Sequence, residues 1–322
     1  MTASTGEPMQ EAIRNNDGAG PAYAEGIAHV DGEFCPVAEA RLPLLDWGFL
    51  RSDACQDTVS VWAGAFFRLE DHLERFERSF TGLRMICPHE RDQLRAIAME
   101  AVRLTGFREA YLQMIMTRGR PPVGSRDLRL AENKFYMFCI PYMSIATADQ
   151  QRQGLHLVVS DIRRIPKNSV DPLIKTYHWL DFEMGLFDAY DRGGDTVVLT
   201  DEDGQITEGP GFNLFAVKDG RLLTPDAGCL DGMTRKTVFE LCTETNLDCE
   251  PAPIAAAHLA DMDELFISST AGGIMPVTKV DGRQVGEPGT GPVTARLRDL
   301  YWSKRQAGWH TTPIDYGDDQ DD

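Results

Sequence analysis

Apolar and polar residues alternate on both sides of two glycine-centred turns, Val30-Asp31-Gly32-Glu33-Phe34 and Val61-Trp62-Ala63-Gly64-Ala65-Phe66-Phe67. A period of two puts successive side chains on opposite faces of a strand, so each stretch predicts a β-hairpin. The period then lengthens. Leu73, Phe76, Phe80 and Leu83 fall on one side of a helix over residues 71–85, and Leu94, Ile97, Ala101 and Leu104 repeat the spacing in a second. Strands at about 110–117 and 134–142 flank a loop rich in glycine, proline and arginine. Two helices over a small antiparallel sheet are therefore expected for a first domain at 21–143, after a flexible polar arm at 1–20.

The polar stretch 144–154 reads as a linker, and Leu155-His156-Leu157-Val158-Val159 opens a second set of strands. Turns are expected at Asp203-Gly204 and Asp219-Gly220, with helices at about 178–192, 233–246 and 292–308. The larger domain then spans 155–310, and 311–322 forms an acidic tail. Strands and helices in two domains make an α+β architecture.

Composition narrows the function. The chain has 322 residues, 42% of them hydrophobic, which is enough for two separate cores. Its formal charge of −18 opposes nucleic acid binding, and no lysine-arginine cluster offsets it. No apolar run reaches the roughly 20 residues of a membrane span. Cys35, Cys55, Cys87, Cys139, Cys229, Cys242 and Cys249 are an odd set without Cys-x-x-Cys, which suits reduced thiols in the cytoplasm. The histidines show no metal spacing, and no Gly-x-Gly-x-x-Gly follows a strand, so neither a metal nor a dinucleotide is expected.

Chemistry concentrates in four segments. Lys175 lies in Asp171-Pro172-Leu173-Ile174-Lys175-Thr176-Tyr177-His178-Trp179, where apolar neighbours suit a desolvated amine able to attack an aldehyde. Glu208 follows in Thr-Glu-Gly-Pro-Gly-Phe-Asn, and a buried carboxylate there can hold a pyridine nitrogen in its protonated form. Gly232-Met233-Thr234 opens a predicted helix, whose N-terminus suits a phosphate as well as it suits a simple cap. Ser268-Ser269-Thr270-Ala271-Gly272-Gly273 offers a second phosphate-binding turn.

In this order the segments resemble the fold-type IV pyridoxal phosphate enzymes, which include branched-chain and D-amino acid aminotransferases, aminodeoxychorismate lyase and (R)-selective amine transaminases. The resemblance runs from about Gly26 to Tyr301 and rests on the lysine preceding a glutamate, on Glu208-Gly209 with Asn213, and on His72-x-x-Arg75. It implies a small N-terminal α/β sandwich and a larger β-barrel-like domain with surrounding helices. It also implies bound pyridoxal 5'-phosphate, held by Arg75, Lys175, Glu208, Met233, Thr234, Ser269 and Thr270, with Lys175 catalytic. Family members are typically homodimers.

Within the family, Leu45-Asp46-Trp47-Gly48, Thr117-Arg118-Gly119 and Gly291-Pro292-Val293-Thr294 are most similar to (R)-selective amine transaminases. That likeness implies ping-pong transfer from an (R)-configured amine or amino-acid-like donor to a keto acid such as pyruvate. The alternative is a D-amino acid or branched-chain aminotransferase, with a lyase or a catalytically silent scaffold further off. Arg51, Gln56, Tyr111, Gln113, Arg126, His178 and Ala271 are the expected substrate contacts. Gln113 stands where branched-chain enzymes commonly carry an arginine. Arg51 fits a carboxylate ligand or a surface or interface arginine, and His178 fits a pocket or a helix surface.

Overall fold

The computed structural model describes residues 23–317, so the arm expected over 1–20 and the end of the acidic tail lie outside the described residues. The chain forms two compact units. The first holds the described residues up to Met143, together with Ile174–Tyr177 and those from His310 on. The second holds Ser144–Leu173 and His178–Trp309.

The first unit is built on a seven-stranded sheet. Its strand order is β15 (Thr311–Pro313), β4 (Ala65–Phe67), β3 (Ala54–Trp62), β5 (Ala110–Arg120), β6 (Glu132–Pro141), β1 (Ile27–Val30) and β2 (Glu33–Pro36). All these pairings are antiparallel. Both expected hairpins are present. Asp31-Gly32 and Ala63-Gly64 each have two consecutive positive φ angles, the signature of the two-residue turn whose twist matches paired strands. A short helix, α1 (Trp47–Arg51), precedes β3, with Asp46 as its cap. The two expected helices are α2 (Leu69–Gly82) and α3 (Arg91–Thr105). Leu73 and Phe76 of α2 and Leu94 and Ala101 of α3 pack with Val59, Val61, Leu112, Met114, Met116 and Met137 in one apolar core.

Strand periodicity then fixes the other face. The core takes Cys55, Val59 and Val61 from β3 and Leu112, Met114 and Met116 from β5. The intervening Gln56, Thr58, Ser60, Tyr111 and Gln113 must therefore point the opposite way. Register places Thr58 opposite Gln113 and Ser60 opposite Tyr111, so these polar side chains are cross-strand neighbours.

The second unit carries an eight-stranded mixed sheet. Its order is β11 (Cys249–Pro251), β10 (Arg221–Thr224), β9 (Asn213–Lys218), β12 (Glu264–Ser269), β13 (Gly273–Val280), β7 (Leu155–Arg163) and β8 (Thr196–Thr200), with β14 (Arg283–Gln284) on β13. The parallel pairs β7/β8 and β10/β11 are joined through α5 (Leu180–Asp191) and α6 (Met233–Thr245), as parallel strands require a crossover. Isolated bridges Thr200 to Ile206 and Gln205 to Ala255 link the β8 edge to the segment after β11, which gives the sheet a barrel-like closure. Helix α7 (Pro292–Gln306) starts where Glu264 accepts the N–H groups of Val293 and Thr294.

Three expectations about organisation change. The linker at 144–154 contains a helix, α4 (Ala148–Gln153), because Thr147 and Gln150 form a reciprocal capping box. The tail expected from residue 311 begins with β15, which pairs with β4. Residues 174–177, assigned by sequence to the larger domain, belong to the first unit because their backbone bonds to β3.

Candidate active site

Lys175 sits on an irregular segment held at several points. Its carbonyl accepts the N–H of Gln56 at 2.9 Å, its own N–H donates to Ser79 Oγ at 3.2 Å, and Thr176 bridges Cys55. A Cβ on Gly82 would come within 2.8 Å of Ile174 Cδ1, so the end of α2 leaves just the room that Ile174 fills. The backbone of Lys175 is thereby fixed while the residue stays half-buried.

The polar face of the sheet is an uncharged network. Thr58 Oγ1 lies 3.1 Å from Gln56 Oε1 and 3.3 Å from Gln113 Oε1, and Gln113 Nε2 donates to the Tyr177 hydroxyl. Tyr111 Oη lies 3.4 Å from Thr58 Oγ1. Burial raises the phenol pKa of both Tyr111 and Tyr177, which keeps each a neutral hydroxyl. Sequence reasoning found Gln56, Tyr111 and Gln113 here and missed Thr58 and Tyr177. The alternation Gln56, Thr58, Ser60 was the available signal.

Arg51 and Arg126 are placed differently from this network. Arg51 is exposed, with its guanidinium 3.6 Å from the centroid of the Trp47 ring. Arg126 is exposed in the loop between β5 and β6, where neighbouring Arg129 pairs with Asp127.

On the opposite face, Arg75 is committed to a residue that sequence reasoning missed. Its Nε and Nη2 donate to Asp57 at 2.7 and 2.9 Å. Burial alone would raise the Asp57 carboxyl, but Arg75 and His72 outweigh it and hold the group below the usual carboxylate range. Burial lowers the pKa of His72, so the ring is neutral and donates Nδ1–H to Asp57 Oδ1 at 2.7 Å. An acidic residue at a core-facing strand position was the sequence signal for this pair.

In the second unit, Glu208 and Asn213 grip the same residue. Leu230 N–H donates to Glu208 Oε2 at 2.9 Å, and Asn213 Nδ2 donates to the Leu230 carbonyl at 2.8 Å. Gly209 separates them because a Cβ there would meet Phe212 at 2.1 Å and the Val197 carbonyl at 2.4 Å. Arg164 reaches the other Glu208 oxygen, Oε1, at 3.3 Å and Asp181 at 2.7 Å. Neither Arg164 nor Asp181 stood out in the sequence, since each is an ordinary charged residue until folding brings them together.

Leu230 leads directly into α6. Gly232 is its N-cap and makes no side-chain cap bond, and a Cβ on it would lie 2.1 Å from Asn213 Oδ1. The backbone N–H groups of Met233 and Thr234, both buried, open the first turn of the helix, where an anion is favoured. Ser269 is bonded to Gly211 and within its own turn. Its one hydroxyl proton goes to the Gly211 carbonyl at 2.8 Å and its oxygen accepts Ala271 N–H, so it shapes the turn carrying Thr270 and Ala271. His178 is half-buried just before α5. These donors, with a glycine cradle at Gly232 and a buried carboxylate at Glu208, fit the phosphate and ring nitrogen of pyridoxal phosphate. Among the described residues, no group of histidine, cysteine, aspartate and glutamate is arranged to hold a metal. No helix of the described residues is long and apolar enough to cross a membrane.

The fold and the arrangement of Glu208, Asn213 and the α6 start define a fold-type IV aminotransferase architecture. The chain belongs to the amino-transferase class IV family, whose model matches residues 54–280. It is 30% identical over 246 residues to the branched-chain-amino-acid aminotransferase of Escherichia coli (strain K12), covering 73% of this chain and 77% of that protein. It is 28% identical over 303 residues to the enzyme of the same name in Pseudomonas aeruginosa, covering 89% and 97% respectively. A branched-chain amino acid aminotransferase from T.th., solved with N-(5'-phosphopyridoxyl)-L-glutamate, superposes with a TM-score of 0.83 at 26% identity, covering 91% of this chain and 100% of that one.

Proposed function

We propose that this aminotransferase moves the amino group of a branched-chain L-amino acid to a keto acid, with pyridoxal 5'-phosphate as cofactor. The observation that supports the cofactor is the joint grip of Glu208 and Asn213 on Leu230, with a buried carboxylate beside an uncapped helix start. The relatives' names favour the branched-chain alternative over the (R)-amine donor that the sequence motifs suggested.

When bound, pyridoxal 5'-phosphate supplies a ring able to take up the electron pair left as the α-proton departs. Lys175 would supply the amine that holds the cofactor's aldehyde carbon, and its free Nζ would take the proton from the substrate carbon. Glu208 would accept the N–H of the ring nitrogen. Within the second unit, Thr270 and the N–H groups of Met233 and Thr234 would hold the phosphate; Arg75 of the first unit, kept in place by Asp57, is the cation that the family resemblance assigns to it. Gln56, Tyr111 and Gln113 of the first unit would offer the substrate an uncharged hydrogen-bonding surface, and Ala271 and His178 are the substrate contacts proposed for the second unit.

That absence of charge among Gln56, Thr58, Tyr111, Gln113 and Tyr177 is the one observation that also favours a neutral amine donor. A donor panel separates the readings. The rate of cofactor conversion is measured with L-leucine, L-isoleucine, L-valine, their D-forms and (R)-1-phenylethylamine. The L-amino acids are expected to react at least about tenfold faster, a factor equal to ~1.4 kcal/mol of differential transition-state binding. Faster conversion by (R)-1-phenylethylamine would overturn the branched-chain reading.

A further inference from the structure

Arg164 follows the end of β7 and bridges two buried carboxylates. Its Nη1 donates to Asp181 Oδ2 at 2.7 Å and its Nη2 to Glu208 Oε1 at 3.3 Å, with the guanidinium 4.1 Å from the Phe182 ring centroid. Asp181 is itself fixed by the N–H groups of Ile165 at 3.0 Å and Phe182 at 2.9 Å. The buried Nε–H of Arg164 finds no partner among the described residues, so this guanidinium is held by its two carboxylates and the ring rather than by full hydrogen-bond satisfaction. Two carboxylates and one guanidinium leave a single negative charge, which matches the single positive charge of a protonated ring nitrogen. Cys229, Asp231 and Arg235 stand near the same turn. The Cys229 thiol is pushed up to about 12, first by burial, with Glu208 adding to the rise.

We propose that Arg164 is a positioning residue that keeps the proton shared by Glu208 and the cofactor on the ring nitrogen instead of on the carboxylate. The inference rests on the reading that Glu208 faces that nitrogen. Burial alone favours a protonated glutamate, and an adjacent cation opposes this. Arg164 touches Glu208 directly, whereas a nitrogen held by Glu208 would meet Arg164 only through that carboxylate, so the cation would lower the proton affinity of the carboxylate more than that of the ring. Asp181 keeps Arg164 from cancelling the whole negative charge of Glu208.

The test loads the full-length protein with pyridoxal phosphate labelled with ¹⁵N in the ring and reads the nitrogen's chemical shift, together with the rate of the first half-reaction. Arg164→Met is expected to move the signal toward the unprotonated nitrogen and slow the half-reaction roughly tenfold or more, the scale of losing one charge-assisted contact. Glu208→Gln should move the signal the same way, and the double variant no further. Arg164→Lys, which keeps the charge, should return most of the signal. Should Arg164→Met not hold the cofactor, Arg164→Gln serves in its place with the same expected direction. A shift in Glu208→Gln with none in Arg164→Met or Arg164→Gln overturns the role of Arg164 and leaves Glu208 standing. An unchanged signal in Glu208→Gln overturns the reading of Glu208 and the inference with it. A lysine variant that behaves like methionine also overturns the proposal, because charge would not be the cause.

Discussion

At the scale of single residues, the most consequential ones act through partners. Arg75 is useful to a phosphate only if its guanidinium is held at a fixed angle, and Asp57 holds two of its nitrogens from within the core. Asp57→Asn leaves a buried cation without its counter-charge, a change that costs about 3–5 kcal/mol where a buried pair is broken. The folded pKa of Asp57 lies below its ordinary value of 3.8, so its stabilisation is present above that value and is lost as pH falls toward the folded pKa. The stability difference between wild type and Asp57→Asn, measured by urea denaturation, is therefore expected to be complete at pH 7 and to shrink below about pH 4. A difference independent of pH would mean that Asp57 carries no charge in the folded protein. Lys175, Glu208 and Arg75 were legible in the sequence as candidates because residue type, order and motif spacing travel with the chain. Asp57 and Arg164 were not, since their pairings span 18 and 44 residues and exist only in the folded chain.

At the scale of elements, the start of α6 depends on a glycine for reasons of space. Gly232 has φ −65 and ψ 142, a conformation open to any residue, so its requirement comes from Asn213 Oδ1, which lies 2.1 Å from where a Cβ would sit. Gly232→Ala is expected to push Asn213 off Leu230, misaim the first turn and raise the cofactor dissociation constant about tenfold, comparable to one lost hydrogen bond. Gly232→Ala combined with Asn213→Gly removes the clash and should bind more tightly than Gly232→Ala alone, as read by fluorescence titration with pyridoxal phosphate. If the second change brings no recovery, the collision with Asn213 is not the cause. Helix and strand extents were largely readable from periodicity. Thus α2 and α3 carry the expected Leu73, Phe76, Leu94 and Ala101 into the core. The short helices α1 and α4 were missed because local capping by Asp46 and Thr147 decides them, without an apolar stripe.

At the scale of the whole molecule, the chain returns to its first unit twice, at Ile174–Tyr177 and from His310 on. The second return has a structural load. His310 O accepts Arg68 N–H at 2.8 Å, Ile314 N–H donates to Gly64 O at 3.0 Å, and Tyr316 Oη donates to Phe107 O at 2.7 Å. Ending the chain after Trp309 strips β15 from β4 and leaves a bare sheet edge. Hydrogen exchange should rise in Ala65–Phe67 and around Phe107, while β9, β12 and β13 keep their protection. Unchanged exchange at β4 would show that β15 contributes nothing to that edge.

The sequence by itself determined the class of chemistry, the candidate glycines and carboxylates that mark it, and most strand and helix positions, because each is a local matter of residue type and period. The tertiary structure alone decided which unit holds Lys175, since an irregular segment has no periodicity and takes its place from backbone bonds to Gln56 and Ala54. It also decided that Ser269 shapes a turn and that Arg164 and Asp57 stand behind the predicted residues. Those outcomes depend on where a single hydroxyl proton or guanidinium finds its acceptor, and only the folded backbone sets that.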